Sequence, residues 1–386
     1  MLKMFNSFSE EKEDFEPFDK SYVKIFICGP TLYDYTHLGH ARIFLTYDLL
    51  CRYLQSQDIK TDVLVNMTDI NQNVFNKALS QQTDYYTLTR YYSDEFIKDL
   101  DLLNIHTVTR LAHVSDYVPN IVKHISYLIK NKHAYSANGN IYFDTQSIKD
   151  YGKISKQSRE QLKLHRLDIG PNKKNQEDFM LWNCSEDFGF SWNSDFGNGV
   201  PWWHIQDTTV AFENFGLHYD IHGGARELAY PHHDAHLAQY KAMTRTKDPV
   251  KRWMYIGLVL SKGEKMSKSL GNMVLARNLV EKYGQNLIRL YLFSTNYKDD
   301  IDYKEEDLLD KKKLLEKIYQ VKIKKSDRTS LGVSNLVDIF SKNLDDDLNS
   351  PKALETFEKI CDLILGGESI SEVDLVKIIN ILGLSL

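Results

Sequence analysis

"YVKIFICGPTLYDYTHLGHARIFLTYDLL", residues 22–50, decides how the rest of the chain is read. It begins with a short apolar run closed by Gly29 and Pro30, the signature of a buried strand. From His37 onward apolar residues recur at helical spacing, so "HLGHARIFLTYDLLCRYLQSQ" reads as a helix. "KTDVLVNMTDI", starting at Lys60, is a second buried strand closed by polar residues. Strand, helix and strand at this length predict a βαβ unit, and with it an α/β fold built on a parallel sheet.

The pattern continues along the chain. Residues 85–133 read as largely helical, and "ANGNIYFDTQSI" from Ala137 reads as a turn and an alternating strand. A Lys-, Asn- and Asp-rich stretch follows, with "GPNKKNQ" and "FGNGVP" as turns, and reads as an insertion between two halves of the sheet. "LHYDIHGGA" from Leu217 restores the buried strand, and "YPHHDAHLAQYKAMT" opens a helix near Pro231. "KRWMYIGLVLSKGEKMSKSLGN" is a strand running into a lysine- and glycine-rich loop. "EEDLLDKKKLLEKIYQVKIKK" and "SPKALETFEKICDLIL" are amphipathic helices; the lysines of the first are a phosphate track or a solvated face.

With 386 residues, 42% hydrophobic and 26% charged, the chain has material for two or three ordered domains. It lacks an apolar run long enough to span a membrane, and its acidic N-terminus lacks the apolar core of a signal peptide. A cytoplasmic protein with no membrane partner is expected, and a monomer is favoured. The net charge of −5 requires any nucleic-acid contact to come from local basic patches. Its four cysteines are far apart and form no CxxC pair, as in a reducing compartment. Of 13 histidines, two lie at 37 and 40 and six between 204 and 236, which marks those stretches for chemistry.

In "HLGH", His37 and His40 share one face at a helix start. There their N–H groups and the terminal amides can hold a phosphate, and Gly39 lets a flat base approach the backbone. "KMSKS", residues 265–269, carries Lys265 and Lys268 on a loop that can close over a triphosphate and stabilise a leaving pyrophosphate. Either motif alone is weak; in this order and separation they are specific.

With "CGPTLYDYTHLGHAR", "NMTDI", "NGNIYFDT", "DFMLWN", "WHIQDT", "DIHGG", "PHHDAHLAQ", "GEKMSKSLGN" and "LDDDLNSPKALETF" in that order, the chain resembles class I aminoacyl-tRNA synthetases, and within them the cysteinyl-tRNA synthetase family. The resemblance covers roughly residues 20–385. It implies a Rossmann-type catalytic domain with an inserted connective domain, then a helical bundle. The expected boundaries are 1–115 and 201–250 for the two Rossmann halves, 116–200 for the insertion, 251–325 for the KMSKS and stem-contact region, and 326–386 for the bundle. The chain is expected to lack the family's C-terminal anticodon-binding domain.

The resemblance also implies ATP-dependent activation of L-cysteine to the adenylate and transfer to tRNA(Cys), with Mg2+ accompanying ATP. Catalytic roles fall on His37, His40, Lys265 and Lys268, and ATP binding on Gly39, His37, His40 and Lys268. Gly29, Thr68, Trp203, Glu227 and His233 are placed in substrate binding, Glu227 against the substrate ammonium. The family selects cysteine with a zinc ion on the substrate thiolate, since shape alone discriminates poorly between cysteine and serine. The family's ligands are two cysteines, a histidine and a glutamate. The matching positions here are Cys28, Asp207, His232 and His236, all competent zinc ligands, with His232 and His236 one turn apart. A ligase joining the cysteinyl-adenylate to a small amine, like the mycothiol-pathway paralog, is the alternative. A regulatory or RNA-binding paralog is disfavoured, because a binding module needs neither HLGH nor KMSKS.

Overall fold

The computed structural model describes residues 2–164, 168, 173–184, 188–266, 271–324 and 326–386. The chain opens with an antiparallel hairpin, β1 (Lys3–Asn6) and β2 (Glu11–Asp14). β3 (Tyr22–Ile27), α1 (Leu38–Gln55) and β4 (Lys60–Met67) form the expected βαβ unit. α2 (Gln72–Ser80), α3 (Tyr85–Leu102), β5 (Arg110–His113) and α4 (Val118–Lys130) follow. β5 interrupts a region read as helical; a strand of four residues is too short to show an alternating period.

The next stretch holds β6 (Ala134–Ala137), β7 (Asn140–Phe143), α5 (Arg159–Leu164), β8 (Phe179–Asn183) and β9 (Val200–Pro201). Its four strands pair antiparallel into a separate sheet that lies within the expected insertion except for Pro201 at its last strand. α6 (Trp203–Phe215), β10 (Tyr219–Ala225), α7 (His232–Thr244) and β11 (Val250–Ile256) return to the main layer. Then come β12 (Val259–Ser261), β13 (Glu264–Lys265), α8 (Ala276–Tyr283), α9 (Gln285–Phe293), β14 (Ile301–Tyr303) and α10 (Glu305–Leu309). The chain closes on α11 (Lys312–Ile323), α12 (Leu331–Asp345), α13 (Ser350–Leu365) and α14 (Glu372–Leu382). Two expected boundaries divide strands, 200/201 in β9 and 250/251 in β11, and the boundary at 326 leaves out a helix of the bundle, α11, which packs on α13.

The central sheet has the order β11-β10-β3-β4-β5, and every neighbouring pair is parallel. β3 is buried along its core-facing residues, as a strand covered by helices on both faces must be. From β3 the chain moves one way to β4 and β5, then returns to the other side of β3 with β10 and β11. The reversal leaves a crevice beyond the carboxyl ends of β3 and β10, where open α/β sheets bind ligands. Cys28 follows β3 directly and donates its backbone N–H to the Gly223 carbonyl of β10 at 3.0 Å.

A buried arginine ties the sheet to the final helix. Arg289 of α9 pairs with Asp48 of α1, both inaccessible to solvent, and also donates to the carbonyls of Leu103 and Leu382. Among the described residues no helix is long and apolar enough to cross a membrane.

Candidate active site

A cavity of about 300 Å3 fills the crevice. Its wall includes Cys28, Gly29, His37, Gly39, His40, Thr68, Trp203, Asp207, Glu227, His232 and Lys265, so the structure brings together eleven of the residues singled out from sequence. Lys268 lies outside the described residues.

The floor is a buried polar cluster. Cys28 Sγ lies 3.2 Å from Asp207 Oδ2 and 3.1 Å from His233 Nε2, and His232 Nε2 lies 2.8 Å from the same carboxylate oxygen. The donor atoms of Cys28, His232 and His233 all lie within 4.8 Å of one another. Each histidine is oriented through its second nitrogen: His233 Nδ1 is 2.8 Å from the Tyr255 hydroxyl, and His232 Nδ1 is 3.1 Å from His204 Nδ1. Trp203 stacks on the His232 ring at 4.2 Å. Burial and the Asp207 carboxylate push the Cys28 thiol well above its ordinary pKa, and burial holds His233 and His204 well below theirs.

His236, placed in the ligand set by the family pattern, makes different contacts from His232 and His233. Its Nε2 is 2.8 Å from the Tyr219 hydroxyl and its Nδ1 3.3 Å from Thr208 Oγ1, and burial lowers its pKa to about 3. One turn down α7 it meets Tyr219 of β10, whereas the donor atoms of His232 and His233 lie within reach of Cys28. His233, expected to face substrate, is buried, and its Nε2 is turned to Cys28.

Asn66, at the end of β4, was not singled out from sequence. Its side chain accepts from Gly29 N at 2.6 Å and donates to Asp207 Oδ1 at 2.7 Å and to Thr68 Oγ1 at 3.1 Å. The signal was available: an asparagine in an otherwise apolar buried strand needs partners. Gly29 is explained by the same contact. A Cβ there would fall 1.7 Å from the Asn66 carbonyl oxygen, so the packing of β3 on β4 requires this glycine, which also lines the cavity.

The HLGH half differs from expectation in one respect. His37 is the N-cap of α1, and its Nδ1 accepts from the backbone N–H groups of Gly39 at 3.0 Å and His40 at 3.4 Å. Those amides are therefore not available to a phosphate, and Gly39 makes room for the capping ring, since a Cβ would come within 2.8 Å of it. Burial, with Lys265 nearby, lowers the His37 pKa to about 4; burial and His37 hold His40 well below its ordinary value. Both rings are neutral at pH 7 and stacked at 3.8 Å, offering N–H donors rather than charge. His40 Nδ1 is buried and has no partner among the described residues.

The two signature motifs are joined through backbone. Leu38 N donates to Val274 O, and Ala276 N to Thr36 O, so the chain following KMSKS pairs with the start of α1. Lys265 Nζ lies 2.5 Å from Glu227 Oε2 at the cavity mouth, both side chains substantially exposed.

A parallel sheet with its site at the strand-order reversal, and the two signatures held at one mouth, define a class I tRNA synthetase catalytic core. The family model for the tRNA synthetases class I (C) catalytic domain matches residues 14–313. A cysteine–tRNA ligase of Haemophilus influenzae is 36% identical over 358 residues, 92% of this chain and 78% of the relative. One from Methanococcus vannielii is 33% identical over 392 residues, 96% of this chain and 82% of the relative. The chain belongs to the cysteine–tRNA ligase family. Solved structures share the fold at low identity. Methionyl-tRNA synthetase of Mycobacterium tuberculosis, in complex with methionyl-adenylate, superposes with a TM-score of 0.67 at 14% identity, covering 94% of this chain and 88% of that one. A leucyl enzyme of Agrobacterium radiobacter, in a ternary complex with tRNA and LeuAMS, gives 0.66 at 11%, covering 96% and 84%.

Proposed function

We propose that the protein activates L-cysteine with ATP and transfers it to tRNA(Cys) in the cytoplasm, acting as a monomer. The observation that carries this is a buried thiol, carboxylate and imidazole cluster on the floor of a cavity whose mouth bears HLGH and Lys265. The relatives, named as cysteine–tRNA ligases, favour transfer to tRNA over a small amine acceptor.

The floor suits a zinc ion. Its donors are of the types zinc takes, they converge, and the second nitrogen of each histidine is already engaged. Cys28, Asp207 and His232 would hold the ion, with His233 beside them. When bound, zinc supplies preference for a thiolate over a hydroxyl. Asn66 fixes the Asp207 carboxylate, and Trp203 with Thr68 walls the amino-acid pocket. Glu227 offers the substrate ammonium a carboxylate once Lys265 turns to phosphate. ATP enters with Mg2+ along HLGH. The substrate carboxylate attacks the α-phosphate, and pyrophosphate leaves toward Lys265 and Lys268. His37 and His40 donate N–H bonds to the phosphate oxygens without altering its net charge.

The test is cysteine-dependent ATP–pyrophosphate exchange and charging of tRNA with labelled cysteine, alongside metal analysis of the same sample. Charging with one zinc per chain is expected. Activation without charging would assign the protein to the small-amine ligases.

A further inference from the structure

β10 and β11 lie side by side up to the Ala225–Ile256 pair, where their ladder ends. Beyond it the chain after β10 supplies Glu227 and Leu228 to the catalytic cavity, and the chain after β11 supplies Gly257, Leu258 and Val259. The second of these walls is tied to the HLGH helix. Arg42 of α1, 1% exposed, donates to the carbonyls of Gly257 and Leu258, both at 3.0 Å. Among the described residues two ion pairs cross from one wall to the other. Lys265 with Glu227 is the pair that opens when Lys265 turns to phosphate. Arg226 with Asp300 is different, because neither residue lines the cavity. Arg226 Nη2 donates to Asp300 Oδ1 at 2.9 Å and to Oδ2 at 2.8 Å. Oδ1 also accepts from Leu258 N at 2.7 Å. Leu258 is thus held at its N–H by Asp300 and at its carbonyl by Arg42. The carboxylate stands on fixed backbone. β14, which follows Asp300, pairs with β12, and a Cβ on Gly257 would fall 2.2 Å from the Asp299 carbonyl oxygen.

We propose that Arg226 and Asp300 are positioning residues whose pair is a strut between the two walls. It fixes the distance from Glu227, which takes the substrate ammonium, to the wall tied to HLGH, along which ATP lies. Arg226 adjoins Glu227 in the chain, so the strut acts on that carboxylate through a single peptide. Cysteine and ATP react only when the substrate carboxylate reaches the α-phosphate in line, and a displacement of about 1 Å can cost about 100-fold. A pair that touches neither substrate but sets the spacing of their walls acts on that step. It also stays closed while the Lys265–Glu227 pair opens, so the mouth can admit substrates without losing its span. The inference rests on the synthetase reading above, and it gives the pair a role in the chemical step rather than in binding.

Arg226→Met should slow adenylate formation in a single turnover by about 10-fold, with cysteine and ATP each binding alone within about 2-fold of unmodified protein. Arg226→Lys keeps the charge and should recover most of the rate. Asp300→Asn can still accept from Leu258 N and should match Arg226→Met, and the double variant should be no slower than either single one. Both side chains are partly exposed, so the melting temperature should move by less than about 2 °C in each variant. An unchanged rate in Arg226→Met overturns the proposal. So does an affinity for either substrate that falls as far as the rate, or losses that add in the double variant. Absence of adenylate formation in unmodified protein would instead defeat the synthetase reading. Amide exchange then decides for the strut, since it needs no reaction. The backbone N–H groups of residues 257–261 should exchange about 10-fold faster in Arg226→Met, and equal protection overturns the strut.

Discussion

The two ends of the catalytic cavity are built by opposite means. On the floor, Cys28, Asp207, His232 and Asn66 are held by the central sheet and by one another, and apart from partly accessible Cys28 they are buried. At the mouth, Lys265 and Glu227 meet as exposed side chains on short segments. The floor is fixed before any substrate arrives, whereas the mouth must exchange a Lys265–Glu227 pair for contacts to ATP and an ammonium. Discrimination between cysteine and serine needs fixed donors; admission and release of a triphosphate need replaceable ones.

The contrast can be broken most directly at the floor. Cys28→Ser should abolish stoichiometric zinc and lower cysteine activation by more than about 100-fold, beyond what loss of an outer partner costs. Metal analysis and pyrophosphate exchange on one sample check this, and retained zinc would remove Cys28 from the ligand set. Asn66→Ala should come next, weakening zinc affinity by about 10- to 100-fold by freeing the Asp207 carboxylate, as a chelator titration would read. An unchanged affinity would mean that Asp207 is positioned without it.

A smaller effect is expected from pH. His37 has its pKa lowered to about 4 against an ordinary 6.5, and His236 to about 3, so the unfolded chain binds more protons between those values. The stability these groups confer is complete above about pH 6.5 and falls as pH drops toward 4. Melting temperature should decline across that window, and a flat profile would contradict the buried neutral rings. The smallest effect belongs to the mouth. Lys265→Met should shift the melting temperature by less than about 2 °C, since exposed ion pairs contribute about 0–1 kcal/mol. Its pyrophosphate exchange should nevertheless slow. A large melting shift would place this pair among the rigid contacts and erase the contrast.

Sequence reading succeeded where periodicity or motif was strong. β3, α1 and β4 follow from hydrophobic pattern; His37, Gly39, His40 and Lys265 of the cavity follow from HLGH and KMSKS, whereas Cys28, Gly29, Thr68, Trp203, Asp207 and Glu227 come from the family resemblance. It failed where side-chain direction decides. His232 and His236 share a helix face by spacing, yet the imidazole that meets Cys28 in the structure is that of His233, and His236 meets Tyr219. Spacing likewise could not show that His37 spends Nδ1 on its own helix. β5 and the N-terminal hairpin are too short for their alternation to rise above the surrounding sequence.

The Arg289–Asp48 pair sets a schedule for synthesis. Asp48 belongs to the first βαβ unit to leave the ribosome, but its arginine comes 241 residues later. At typical elongation rates that interval is roughly 10–50 s. Arg289 then still awaits the Leu382 carbonyl. Asp48 meanwhile has Arg52, one turn along α1, as a counter-charge, at 2.7 Å in the finished fold, so what the nascent first unit lacks is the second, fully buried arginine. The opening third of the chain is therefore expected to reach its final packing only when translation is nearly done.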